Sequence, residues 1–153
     1  MSERKIAIME ENMVYSTINI IILLCLAYAT YTDIKSHSIS IKVSLSATIL
    51  IIITLFFSDR PYLSSIIYGL IPGIVLCILS YLTRESIGYG DGVIVSIIGI
   101  GLGFSKVIFI CIIAFIVTAI VAIFLIIKRK SGKSTLPFVP FILCGFILEL
   151  CLF

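Results

Sequence analysis

The chain alternates between long apolar runs and short polar segments. Most of the runs, rich in Ile, Leu, Val and Phe, have about the 20 residues that a helix needs to cross the roughly 30 Å hydrocarbon core of a membrane. The pattern predicts spans at about 13–32, 39–57, 62–82, 92–104, 107–127 and 136–153. We therefore predict an all-α membrane protein, a bundle of about six transmembrane helices in one integral membrane domain over residues 1–153.

The amino-acid composition also indicates a protein that is embedded in lipid. Apolar residues fill 61% of the 153 positions and charged residues 12%, and the mean hydropathy is +1.28, outside the range of a domain with a polar surface. The net charge of +3 is small, so nucleic acid is not an expected partner. The five cysteines lie in apolar runs without a Cys-x-x-Cys pair, and we interpret them as packing residues.

Basic residues predict the orientation of the bundle. With six spans, the connections after spans one, three and five share a face, and the positive-inside rule places this Lys- and Arg-rich face in the cytoplasm of a multi-pass cell-membrane protein. We expect both termini on the outside and contacts between the basic loops and anionic membrane lipid. The basic residues of that face are Lys35, Lys42, Arg84, Lys128, Arg129, Lys130 and Lys133.

Two of the runs have special features. The pair Gly69 and Gly73 has the spacing of small residues at helix contacts. The run 92–104, followed by a break at Ser105-Lys106, covers only roughly 20 Å as a helix, so that Asp91 at its start would lie in a recess below the cytoplasmic surface. A re-entrant hairpin, or a thinned bilayer with Lys106 reaching to water, is the alternative.

Acidic residues are few, and two of them form a candidate site. Five of the eight are near a terminus or a turn, where a solvated surface role is expected: Glu3, Glu10, Glu11, Asp59 and Glu149. Asp33 closes span one, Asp91 opens span four, and Glu85 lies in the connection before Asp91. Ionisable groups at membrane depth are costly and usually face a partner or a watery cavity, so Asp33 and Asp91 on one face are candidates for chemistry.

Two carboxyl groups within a few ångströms of each other tend to hold one proton between them, as aspartyl proteases require. The ionised group takes a proton from water while the protonated one hydrogen-bonds the scissile carbonyl, and no metal, cofactor or nucleophilic side chain is needed. Helix ends favour Asp91 as the base, because it meets the positive end of span four while Asp33 meets the negative end of span one, although a coupled pair need not have a fixed assignment. Each aspartate taken alone could equally cap or end a helix.

Three segments resemble motifs of the type IV prepilin peptidases. Glu85-Ser86-Ile87-Gly88-Tyr89-Gly90-Asp91, with Gly99 and Gly103 after it, resembles the Gly-x-Gly-Asp motif of that family. Asp33-Ile34-Lys35 resembles its first aspartate motif, and Pro137-Phe138-Val139-Pro140-Phe141 resembles the motif that opens its last helix, although prolines there could simply start a helix. The resemblance spans nearly the whole chain in the right order.

The resemblance implies a membrane aspartyl endopeptidase that removes the basic leader from prepilin or pseudopilin substrates with an apolar helix, at the cytoplasmic face. It implies that Asp33 and Asp91 are the catalytic pair and that Glu85, Gly88 and Gly90 contact substrate, the glycines because their backbone can be approached closely. Prepilins of type IV pili, tight-adherence pili, competence pseudopili and type II secretion would all suit such an enzyme.

The chain departs from the family pattern in three places. Ser40-Ile41 replaces the usual Pro-Asn after the first motif, and Val93 replaces a lysine, which affects substrate preference more than catalysis. The sequence also lacks the methyltransferase domain with paired Cys-x-x-Cys motifs found in longer members, so the resemblance is to a short form, and we expect cleavage without N-methylation.

Two other functions compete with a protease. A small transporter or ion-conducting subunit could use Asp33 and Asp91 as a proton or cation relay, although a transporter would more naturally place its acids near the bilayer centre. A non-enzymatic assembly subunit could use the charged loops for docking.

Overall fold

The structure, a computed structural model, describes residues 2–36, 40–57, 62–82, 88–128 and 137–152. Every regular element in these ranges is an α-helix, which confirms the all-α class. The helices are α1 (Ser2–Ser36), α2 (Ile41–Phe56), α3 (Tyr62–Leu82), α4 (Tyr89–Leu102), α5 (Phe104–Ile127) and α6 (Val139–Leu152).

Two helix boundaries differ from the predicted apolar runs. Helix α1 begins at Ser2 rather than near Met13. The stretch before Met13 contains three glutamates, one arginine and one lysine, all of which favour a helix. The break between α4 and α5 falls at Gly103 rather than at Ser105-Lys106. Gly103 has φ 82° and ψ 174°, a conformation open essentially to glycine alone, so a single residue reverses the chain there.

The outer surface of the bundle is apolar. Large side chains such as Phe56, Phe57 and Ile126 are mostly exposed. Soluble monomeric proteins rarely have so large an exposed apolar surface. By length and composition, two helices could cross a membrane, Asn12–Ser36 and Phe104–Ile127. The other apolar helices are shorter, spanning Ile41–Phe56, Ile66–Leu82, Tyr89–Leu102 and Val139–Leu152. Surface and helix lengths together support a membrane protein.

Glycines bring the backbones of α3 and α4 into direct contact. A Cβ atom on Gly69 would overlap the carbonyl of Gly99, and one on Gly99 would overlap the carbonyl of Gly69. One turn away, Gly73 meets Ser96. These pairs confirm that the Gly69–Gly73 spacing marks a helix contact, and their order shows that α3 and α4 run antiparallel.

The other helices alternate in direction in the same way, so that the bundle has two distinct ends. At the site end, α1, α3 and α5 finish and α2, α4 and α6 begin; the far end is opposite. Gly145 of α6 lies so close to the carbonyl of Ile110 of α5 that an added Cβ would come within 2.7 Å of it. Between the ends lies a core of fully buried side chains, which includes Ile18, Ile22, Leu26, Ile51, Ile94, Ile98, Ile142 and Phe146.

Glu149 is buried at the far end, and the expectation of a solvated surface role was wrong. It is 1% exposed, and its Oε1 lies 2.7 Å from the Nζ of Lys106, which also lies 5.6 Å from the ring centroid of Tyr15 on α1. Neither carboxylate oxygen has a well-directed hydrogen bond within the described ranges, so the contact is an ion pair. Packing of α6 on α5 turns the carboxylate inward, which nearness to the chain terminus did not reveal.

We expect Gly99→Ala to destabilise the bundle by about 1–3 kcal/mol or more, because the new methyl group would meet the backbone of Gly69, which cannot rotate away. Gly101→Ala is the matched control. Its Cβ would lie 2.9 Å from methyl groups of Ile18 and Ile22, which are side-chain atoms and not backbone, so we expect a smaller loss of stability. Thermal unfolding in detergent measures the difference, and equal midpoints for the two variants would contradict the close helix contact.

Candidate functional site

Asp33 lies in the last turn of α1 and is held from a distant part of the chain. Its side chain is 8% exposed, and its Oδ2 accepts a hydrogen bond from the backbone amide of Val139, 3.2 Å away in a buried position. The two residues are 106 positions apart. The contact therefore joins the first aspartate segment to the Pro137–Phe141 segment that the sequence singled out.

The amide of Val139 is available because it opens a helix. First-turn amides of an α-helix have no partner within the helix. Here the carbonyl of Phe138 accepts from the amides of Phe141 and Ile142, and Pro140 has no N–H. Asp33 thus caps the N-terminal end of α6.

Asp91 lies in the first turn of α4. Its amide donates to the carbonyl of Gly88 over 3.0 Å, and its carboxylate interacts in turn with the backbone of Gly88 through a hydrogen bond. Gly88 is the N-cap, with an extended backbone at φ −62° and ψ 126°. The carboxylate thus has the role of the acidic residue of a capping box, while a backbone carbonyl replaces the N-cap side chain, and the carboxylate is 8% exposed.

Gly88, the first glycine of the Gly-x-Gly-Asp segment, lies beside that carboxylate. A Cβ atom on Gly88 would lie 3.0 Å from Oδ2 of Asp91, so glycine leaves the space that the carboxylate occupies. Gly88 is itself exposed and Gly90 is half-buried. Glu85, the other residue expected to contact substrate, lies outside the described residues.

The structure brings Asp33 and Asp91 together at the site end. The negative charge of Asp33 acts directly on the carboxyl group of Asp91. Two buried carboxyl groups that act on each other in this way cannot both ionise easily, so the pair is suited to share one proton. We expected Asp33 to meet only the negative end of its own helix. It does close α1, but it also faces the positive end of α6, so a helix N-terminus faces each of the two carboxylates.

Helix α4, which carries Asp91, is much shorter than the neighbouring α5. Helices α4 and α5 are joined at Gly103 and contain 14 and 24 residues. At about 1.5 Å per residue, α4 therefore begins roughly 15 Å short of the level where α5 ends. Helix α6, also of 14 residues, begins beside α4. The short α4 agrees with the short run 92–104, and the recess below the membrane surface stays a prediction.

Sequence reasoning missed three polar groups at the site end. Ser44 in the first turn of α2 and Ser80 in the last turn of α3 are buried, and in an apolar run a serine gives no signal of its own. The third is the amide of Val139. The side-chain sequence does not show which backbone amide will be used, although Pro137 and Pro140 beside Val139 do indicate a helix start.

Comparison with known proteins gives one match. The sequence model of the type IV leader peptidase family matches residues 20–123, a stretch that contains both Asp33 and Asp91 and ends before α6. No curated protein and no solved structure matches the chain.

Proposed function

Because the chain belongs to the type IV leader peptidase family, we propose that it is a membrane aspartyl endopeptidase that uses Asp33 and Asp91 to cleave the basic leader from a prepilin or pseudopilin. The observation that carries the proposal is the buried pair of carboxyl groups, close enough for one charge to act on the other. The family match favours this activity over a proton or cation relay.

The pair performs hydrolysis with one shared proton. The ionised carboxylate removes a proton from a water molecule as the water oxygen attacks the peptide carbonyl carbon, and the protonated partner donates a hydrogen bond to the carbonyl oxygen. When the tetrahedral intermediate collapses, the C–N bond breaks and the leaving nitrogen takes a proton from the carboxyl group that received one from water. The pair ends the cycle with one proton, as it began.

Substrate backbone reaches the pair along the start of α4. Gly88 and Tyr89 are exposed beside the buried carboxylate of Asp91, so an extended segment that lies across Gly88 and Gly90 meets backbone rather than side chains. Glu85, a few residues earlier, would contact the same segment. The apolar helix of the substrate packs against the exposed apolar side chains of Ile120, Ile123 and Phe124 on α5.

The bundle crosses the cell membrane six times, with the site end in the cytoplasm. Helices α4 and α6 span the shorter distance from the recess to the outer face, while α1 and α5 cover the full thickness. Lys35, Lys42 and Lys128 are exposed at the site end, where anionic headgroups and the positive-inside rule favour basic residues. Water reaches the pair from this side.

Asp33→Asn and Asp91→Asn should each lower the rate of leader cleavage by more than about 100-fold, since each removes a proton-transfer group. Asp59→Asn is the matched control, because Asp59 is the remaining aspartate of the chain and lies between α2 and α3 in the sequence. The measurement is the mass of a co-expressed prepilin with and without its leader, at equal membrane levels of each variant. Normal cleavage by either site variant would refute the protease mechanism.

Gly88→Ala should lower the turnover rate about tenfold with little effect on stability, since a Cβ at 3.0 Å displaces the Asp91 carboxylate by a few tenths of an ångström and catalysis is sensitive to such shifts. Gly101→Ala, a glycine of the same helix near the far end, should retain most of the turnover. Steady-state cleavage of a leader peptide by purified protein tests both. A Gly88→Ala enzyme as fast as wild type would show that the carboxylate has room to move.

Single cysteines at Lys128 and Phe57, in a background without the native cysteines, should be labelled from opposite sides of the membrane. Both positions are exposed, and Lys128 ends α5 at the site end while Phe57 ends α2 at the far end. An impermeant maleimide added to whole cells should react at position 57, and at position 128 only after permeabilisation. The reverse pattern would place the pair outside the cell.

A further inference from the structure

We propose that the backbone amide of Val139, at the start of α6, is a positioning group that holds Asp33 as the ionised, water-activating member of the pair and leaves the shared proton on Asp91. The inference rests on the proposed function and assigns the two roles within it. It reverses the assignment that the ends of α1 and α4 alone would favour.

The buried amide requires an acceptor. Val139 is fully buried, and a buried N–H without a partner is costly. The Oδ2 atom of Asp33 is that partner, at 3.2 Å. An ionised carboxylate accepts such a bond more strongly than a neutral carboxyl group, so the amide stabilises the charged form of Asp33.

The sequence of α6 leaves one first-turn amide, that of Val139, to stabilise the charge of Asp33. Pro140 supplies no N–H, and the next two amides, of Phe141 and Ile142, are paired with the carbonyl of Phe138. Within the described first turn, the amide of Val139 is therefore the donor directed at Asp33. The positive end of the α6 dipole acts on the carboxylate in the same direction.

The surroundings of Asp91 favour its protonated form. Its carboxyl group is buried and faces the charge of Asp33, two conditions under which a carboxyl group keeps its proton. The interaction with the backbone of Gly88 acts in the opposite direction. That interaction is made within the first turn of α4 itself, whereas Asp33 is held by a second helix.

The other described ionisable groups at the site end have contacts of their own or are exposed, and none of them is a recorded partner of Asp33. Lys35 donates to the hydroxyl of Tyr31, Lys42 is exposed on α2, and Lys128 lies over the ring of Phe124, 4.5 Å from its centroid. On α3, Tyr81 is exposed and Cys77 packs against Gly92. Tyr89, beside Asp91 on α4, is exposed as well. Among the described ionisable groups, the recorded charge interaction of Asp33 is with Asp91.

The test removes the amide and keeps the helix. Val139→Pro deletes the N–H at the first position of α6, where proline is tolerated. The residue before it, Phe138, lies outside the helix, so a following proline does not interrupt helical backbone. Loss of a hydrogen bond to a charged group should lower turnover about tenfold or more. It should also move the acidic limb of the pH–rate profile to higher pH, because the base ionises less readily.

Val139→Ala is the matched control, since it loses buried methyl groups but keeps the amide. It should unfold at a lower temperature than wild type, while its acidic limb stays at the wild-type position. The proposal is supported if only the proline variant shifts that limb. It is overturned if the two variants have the same profile.

Pro140→Ala supplies a second, opposite test that does not depend on folding of the proline variant. It adds an amide to the same helix end, so the acidic limb should move to lower pH. If Val139→Pro does not accumulate in the membrane, an unchanged or raised limb in Pro140→Ala overturns the proposal. If the wild-type protein cleaves, Asp33→Asn does not, and the acidic limb stays unshifted in the α6 variants, only the role of Val139 is refuted. If the wild-type protein does not cleave, the proposed function is refuted.

Discussion

Two buried carboxyl groups of like charge repel each other, and the bundle has to hold them together against that repulsion. Asp33 and Asp91 are each 8% exposed, and the charge of one acts on the other. Water, which normally screens such a pair, is largely replaced by protein at this depth, so the repulsion is stronger than on a surface. The protein compensates with backbone dipoles: the start of α4 faces Asp91, and the start of α6 faces Asp33. In the proposed mechanism, a shared proton removes the remaining excess of charge.

The rest of the packing serves to fix where those two helices start. Glycine contacts with α3 set the position of α4 along its axis, and the single residue Gly103 ties α4 to α5. Helix α6 is fixed at both ends, by the ion pair between Glu149 and Lys106 at the far end and by Asp33 at the site end. These two anchors are about 15 Å apart along α6, so a slip of even one residue would take the amide of Val139 away from its acceptor.

Much of this arrangement could be predicted from the sequence, and the part that could not has a common cause. Apolar runs and small-residue spacing are local, and they gave the helical class and the contact at Gly69 and Gly73. The scarcity of acids within the apolar chain pointed to Asp33 and Asp91. The ion pair of Glu149 and the hydrogen bond of Val139 join segments that are distant in sequence. Which pairs of helix ends meet depends on the packing of the whole bundle, and a backbone amide leaves no trace in the side-chain pattern.

The start of α6 contains a buried amide that its own helix cannot pair. Away from water, such an amide must find its partner within the protein. Asp33 is the partner of this amide, and in the proposed mechanism the amide in turn stabilises the charge of Asp33. The same pair of atoms would thus have a structural and a catalytic effect, and the choice of substitution must separate the two. Asparagine at position 33 keeps an oxygen for the amide and removes only the charge, whereas alanine would remove both. Loss of activity in the asparagine variant therefore reports on the carboxylate itself and not on an unpaired helix end.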